Sequence, residues 1–313
     1  DIELKVLFTT IAMRLLISVT KSAINKQKEP ENTYLQISEK PAWALLKKWK
    51  EVSPDFAYYT FRHACGLEPC EQNATFKSYA ASRSWEISDL IPEAKYLTLA
   101  DLDLSIGSQF VGHYSEYISS EKIYDKISEK FEKNEELLVG GYGEARPVYT
   151  TDAYKIRQNE GFEHRTRHLG VDFWTHAQTP ICAIEDGEIF ASHNNDQHKD
   201  YGPTLILEHQ VGDLEYYTLY GHLTVKSLEN KTIGQEVKKG QKIGEIGAFH
   251  ENGAWAPHLH FQVVLDMLNL QNDFYGVSLP SHWPVFSSIC PDPNLFFKLA
   301  ILEPKNNSEN EHL

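Results

Sequence analysis

Fourteen histidines are spread along the chain, and two of them stand one residue apart in Pro257-His258-Leu259-His260-Phe261. In extended backbone successive side chains point to opposite faces, so the two imidazoles share one face while Leu259 and Phe261 share the other. Val263 and Val264 continue the run with β-branched residues suited to a strand. A second pattern, His168-Leu169-Gly170-Val171-Asp172, places an imidazole and a carboxylate four residues apart, with a glycine between them that leaves room for an ion. Imidazole nitrogen and carboxylate oxygen are common zinc ligands, and catalytic zinc keeps three protein ligands plus one position open to water. His168, Asp172 and one histidine of the 258/260 pair would make such a set. A third piece, Tyr220-Gly221-His222-Leu223, follows the strand-like Glu215-Tyr216-Tyr217-Thr218-Leu219 and adds one more imidazole.

Taken in order, H-x-x-x-D, Y-x-H-L and P-H-L-H-F resemble the lysostaphin/LytM-type zinc endopeptidases, which cut peptide cross-links in bacterial cell walls. Thr179-Pro180-Ile181-Cys182-Ala183 with Asp186-Gly187-Glu188-Ile189 is similar to a hairpin of that family. Tyr201-Gly202 ahead of Leu205 to His209 is similar to its next strand, and Gly234 to Gly244 to a later turn and strand. The resemblance covers residues 165 to 265. It implies an all-β, antiparallel-sheet or sandwich catalytic domain and a Zn2+ ion held by His168, Asp172 and His260. It further implies His222 and His258 as catalytic histidines, and a peptide or muropeptide-like substrate. Two departures touch the groove wall. Gln262 stands where an acidic residue often follows the HLHF run, and Phe249 to Ala256 replaces a loop of small residues.

The elements that must position these residues differ along the chain. Val6, Leu7, Ile11, Leu15 and Val19 recur at helical spacing. Ser38 is placed to cap a further helix with Pro41 in its first turn, and Phe56 to Phe61 forms another amphipathic segment. Arg14 to Val19, Pro30 to Leu35 and Glu39 to Leu46 resemble the last helices of a choline/aminoglycoside-kinase-like phosphotransferase. Such a tail precedes a LytM-type domain in bacterial fusions that also carry a class III aminotransferase. The resemblance therefore implies covalently fused kinase-like and aminotransferase neighbours. It includes no nucleotide-binding segment, so it implies no kinase activity.

Residues 116–138 read as one helix with Ile123, Ile127 and Phe131 on one side, stopped by Gly140-Gly141-Tyr142-Gly143. Asp101-Leu102-Asp103-Leu104-Ser105 alternates like an edge strand, Leu265 to Leu270 reads as a short helical excursion, and Leu295 to Leu299 as a last helical turn. The expected class is α+β, with a helical tail over 1–70, a mixed connecting region over 71–145, the metallopeptidase domain over 146–303 and a disordered tail over 304–313.

Thirty basic against 44 acidic side chains give a formal charge of -14. That balance excludes nucleic acid as partner, since its binding needs a cationic footprint. The apolar stretch near the N-terminus carries Arg14, lacks a basic leader before it and is too short to span a bilayer, so a cytoplasmic location with no membrane span is expected. Four cysteines without a pairing pattern agree with a reducing compartment, and Cys182 in an apolar run reads as core. The remaining histidines have no partnered spacing, and His209 and His250 are those expected nearest the cleft. The alternative to a hydrolase is a non-catalytic, zinc-stabilised scaffold module within a multidomain enzyme.

Overall fold

The computed structural model describes residues 2–158 and 161–303, so the tail expected at 304–313 lies outside the described residues. Two compact units divide the chain, Asp1–Cys70 and Glu71–Leu313. In the first, helices α1 (Ile2–Lys28), α2 (Glu39–Trp49) and α3 (Pro54–Ala64) pack on one another. Trp49 stacks on Phe8 at 4.8 Å and donates its indole N–H to the Phe8 carbonyl at 3.1 Å, which ties α2 to α1. Ser53 opens α3 by accepting the Phe56 N–H, with Pro54 next, where a missing N–H costs nothing. Ser38 precedes α2 but makes no such bond, because its own backbone is already helical (φ -79°, ψ -11°). No helix among the described residues is long and apolar enough to cross a membrane.

The second unit is built on an eight-stranded sheet with helices around it, and the chain as a whole has the α+β class expected. The strands are β1 (Thr98–Asp101), β2 (Glu136–Gly140), β3 (Val171–Trp174), β4 (Gly187–Asn195), β5 (Gly202–Val211), β6 (Leu214–Gly221), β7 (Glu236–Val237) and β8 (His258–Val264). They lie side by side in the order β1-β2-β3-β8-β6-β5-β4-β7. All neighbours are antiparallel except β1 and β2, which run parallel, so the sheet is mixed. Residues 71–145, expected as a connecting region, thus supply two strands of the sheet that carries the histidines. The remaining pairings among the described residues are two-stranded: Pro180–Cys182 with Lys242–Glu245, Arg167–His168 with Val277–Ser278, and Lys155–Gln158 with Gly161–His164.

The helix expected over 116–138 is shorter. Its main body, α4 (Ser120–Asn134), ends where Glu135 turns left-handed at φ 52°, and Glu136 to Gly140 leave as β2. Leu137, Leu138 and Val139 are fully buried on successive positions, as a strand covered on both faces requires and a surface helix cannot satisfy. Ile123, Ile127 and Phe131 do line the inner side of α4 and pack with Leu102, Leu104, Val148 and Trp174. The edge strand appears at Thr98–Asp101 instead of 101–105, and residues 265–270 turn without forming a helix. A last helical turn forms at Asn294–Phe297. Strand β8 lies between β3 and β6, and all seven of its residues are buried.

Candidate active site

Register brings the separated motifs to one level of the sheet. His260 on β8 lies opposite Asp172 on β3 and, on its other side, opposite Gly221 at the end of β6. His258 is opposite Trp174 and stacks on its indole at 5.4 Å. His168 comes from the short strand before β3, so the H-x-x-x-D pattern spans two strands and not one. Gly170 between them leaves room, as expected, but the room is taken by a side chain. A Cβ there would stand 2.7 Å from His260 Cε1 and 2.8 Å from its Nε2. His222 begins the loop after β6 with φ 62°, a conformation few non-glycine residues adopt, and its backbone is pinned on both sides, by Tyr201 O and Gly247 N.

Three donor atoms converge. His168 Nε2 is 3.0 Å from His260 Nδ1 and 3.2 Å from Asp172 Oδ1, and His260 Nδ1 is 3.0 Å from the same Oδ1. The other ends of the rings assign their tautomers. His168 Nδ1 lies 3.1 Å from the Gly141 carbonyl, which can only accept, so that nitrogen carries the proton. Gln262 donates its amide NH2 to Tyr275 O and so turns Oε1 toward His260 Nε2 at 2.9 Å, which places the His260 proton there. Two imidazole lone pairs and a carboxylate oxygen therefore face one another with no hydrogen between them. Such a triangle repels itself unless a cation sits in it. Ligand atoms about 2.0–2.1 Å from a tetrahedral zinc lie about 3.3 Å apart, close to the separations found, so the residues fit a zinc ion.

Electrostatics agree with that assignment. Burial lowers the His168 pKa to about 4, with the Arg146 charge acting in the same direction, so at neutral pH the ring is uncharged and its lone pair is free. Burial opposes ionisation of Asp172, but its charged surroundings, His168 and Arg146, outweigh it and hold the carboxyl well below its usual range. With His168 neutral, the lasting cation is Arg146, whose Nη1 lies 2.5 Å from Asp172 Oδ2.

His222 and His258 stand beside this triangle with ring centroids 4.1 Å apart. Each gives its Nδ1 proton to a carbonyl of the same loop, His222 to Asn252 O at 2.9 Å and His258 to Ala256 O at 2.7 Å. Both consequently present a bare Nε2, and that of His258 is 4.0 Å from Asp172 Oδ1. Burial pushes the His258 pKa down to about 4 and that of His222 well below its ordinary value, with each other's charge adding to the effect on His222. The loop that departs from the small-residue pattern is what fixes these tautomers. Asn252, fully buried, bonds Gly247 O and Trp255 O through its NH2 and Trp255 N through its Oδ1.

A cavity of about 350 Å³ reaches the histidines, with Leu104, Ile123, Ile127 and Trp255 on its apolar side. His198 lines it, whereas His209 and His250 do not. His209 is buried within the sheet layer, held by Asp186 O at 2.8 Å and Thr218 Oγ1 at 2.7 Å, while His250 is exposed. Arg146, Tyr201 and Gln262 also belong to the site. The identity of Gln262 is visible in the sequence but not its hold on His260, and neither Arg146 nor Tyr201 carries a local signal of a role.

Residues 166–271 match the family model described as Peptidase family M23. This segment is similar to peptidase family M23. All five histidine and aspartate positions lie inside it. The metallopeptidase class expected from the motif order has the support of this match. The chain is 37% identical over 95 residues to the glycyl-glycine endopeptidase ALE-1 of Staphylococcus capitis, covering 30% of this chain and 24% of that protein. Over 138 residues the chain is 30% identical to lysostaphin of Staphylococcus simulans, covering 42% of this chain and 25% of that one. The chain thus spans about a quarter of the length of these curated relatives. A solved structure of the catalytic domain of lysostaphin from Staphylococcus simulans is 28% identical, with a TM-score of 0.27, and covers 42% of this chain and 85% of that chain.

Proposed function

We propose that the chain is a zinc-dependent endopeptidase that hydrolyses peptide bonds of the peptidoglycan type, with His168, Asp172 and His260 as metal ligands and His222 and His258 as catalytic groups. The observation that carries the proposal is the convergence of three unprotonated donor atoms at 3.0–3.2 Å beside two further imidazoles with free Nε2 atoms. A zinc ion in that triangle supplies Lewis acidity toward the scissile carbonyl and toward the attacking water.

The remaining chemistry belongs to the side chains. His222 or His258 takes the proton of the attacking water on its Nε2, a step within reach of a neutral imidazole. Only one of the two rings carries the resulting charge, because they lie 4.1 Å apart in a buried setting. That imidazolium offers its Nε2–H to the oxyanion and then gives the proton to the leaving amine. Gln262 and Gly141 hold the two ligand histidines in the tautomers that aim lone pairs inward, a task on which metal affinity commonly depends. The ALE-1 and lysostaphin likenesses support a substrate of glycine-rich or wall-type peptide.

The test is hydrolysis of a panel of peptides and muropeptides by zinc-stripped and zinc-reloaded protein. Turnover that disappears on stripping and returns on reloading supports the proposal. One bound zinc with no turnover on any panel member would overturn the endopeptidase reading and favour the scaffold module.

A further inference from the structure

Residues 141–146 lie ahead of the matched segment, and in the fold they form a chain of hydrogen bonds that links two of the three candidate ligands. Gly141 O accepts the Nδ1–H of His168 at 3.1 Å, and Gly141 N donates to Glu144 Oε1 at 3.2 Å. Glu144 Oε2 accepts from Arg146 Nε at 2.7 Å, and Arg146 Nη1 donates to Asp172 Oδ2 at 2.5 Å. Asp172 Oδ1, the other oxygen of that carboxylate, faces His168 Nε2 at 3.2 Å. The guanidinium is 1% exposed and lies 5.7 Å from the centre of the Trp174 ring. A buried charge is tolerated only when paired, and Arg146 has one carboxylate on each side.

The two oxygens of Asp172 therefore have separate partners. Oδ2 belongs to the arginine. Oδ1 alone is turned toward both His168 Nε2 and His260 Nδ1. We infer that Arg146 is a positioning residue that leaves Asp172 a single oxygen with which to meet the ion and, by drawing on the carboxylate's charge, keeps that ion more strongly Lewis-acidic. This rests on the metal-centre reading above. Glu144 orients the fork: with Nε taken by Glu144, Nη1 is left to reach Asp172. A lysine would bring one ammonium nitrogen in place of the planar fork whose separate nitrogens reach the two carboxylates.

The test replaces zinc by cobalt(II), whose visible absorption reports the number of ligands, in wild type, in Arg146→Lys and in the double variant Glu144→Gln/Arg146→Met. The double variant removes the buried pair together, so that no lone carboxylate of that pair is left in the core. Wild type should show the intense bands of a four-coordinate ion. The double variant should show the weaker bands of a higher-coordinate ion as the freed Oδ2 joins Oδ1, and should release zinc to a chelator about tenfold faster or more. Arg146→Lys should lie between them. If either variant folds and its cobalt spectrum and zinc release superimpose on those of wild type, the inference about Arg146 is wrong although the metal centre stands. Wild type that takes up no cobalt would overturn the metal-centre reading itself, and the inference with it.

Discussion

Gly170 is the residue with the least chemistry and the most stringent position in the site. A methyl group there meets His260 Cε1 and the Phe261 carbonyl, each at 2.7 Å, and the second is backbone that cannot swing aside. Gly170→Ala should therefore displace the His260 ring, cost about 1–3 kcal/mol as an overpacked core does and weaken zinc binding about tenfold or more. Chelator competition together with urea unfolding measures both effects. His222 behaves differently, because its Nε2 is not among the three converging atoms. His222→Ala should keep one zinc and lose about 10²- to 10⁴-fold in kcat/KM, the range over which proton transfer by a positioned side chain contributes. At this scale the sequence was generous. Histidine and aspartate at fixed spacings are visible in a string of letters, and the five named positions do come together. What it hid were the partners that set each proton. Arg146 is 26 residues before Asp172 and, as letters, reads like any surface arginine, since burial of a charge leaves no local mark.

Among the elements, β8 was legible because its alternation and β-branched residues suit a strand, but its register against β3 and β6 was not, since a strand buried on both faces has no exposed side to fix it. Helix α4 was legible on its inner face but not at its end. The apolar Leu137-Leu138-Val139 run fits either state by periodicity, and only its place in the sheet decides. The loop over 248–256 shows the same limit. Its departure from a small-residue pattern was visible, whereas its duty as acceptor for the His222 and His258 rings was not. Asn252→Ala should cost about 1–3 kcal/mol, because Gly247 O, Trp255 O and Trp255 N lose a buried partner together. With the loop loosened, His222 and His258 lose their fixed tautomers, so kcat should fall while zinc content stays at one per chain. Parallel measurements of kcat and bound zinc check this, and equal loss of both would place Asn252 in the metal site instead.

Over the whole molecule, the acidic charge of -14 surrounds a core that holds several neutral histidines. His209, held away from the cavity, has its pKa lowered by burial to about 4, as have His168 and His258. The unfolded chain binds a proton on each near pH 6.5 and the native chain does not until about pH 4. Unfolding therefore takes up protons in this window, and stability rises with pH across it. The contribution is complete above pH 6.5 and is lost as pH falls toward 4, about 3 kcal/mol for each such group. The Tm of the zinc-free protein should fall steeply between pH 6.5 and 4, and a flat profile would mean that these rings are not buried neutral. The mixed sheet was less legible than the site. A strand pair taken from residues 98–140 joins the sheet across a long connection, and no pattern within either strand announces its neighbour.

The most direct measurement is zinc content per chain after exhaustive dialysis, in wild type and in the variants Asp172→Ala, His260→Ala and His222→Ala. One equivalent in wild type and in His222→Ala, with loss in the other two, is the predicted result. Equal retention or equal loss in all three variants would contradict the assignment of His168, Asp172 and His260 as the atoms that hold the ion.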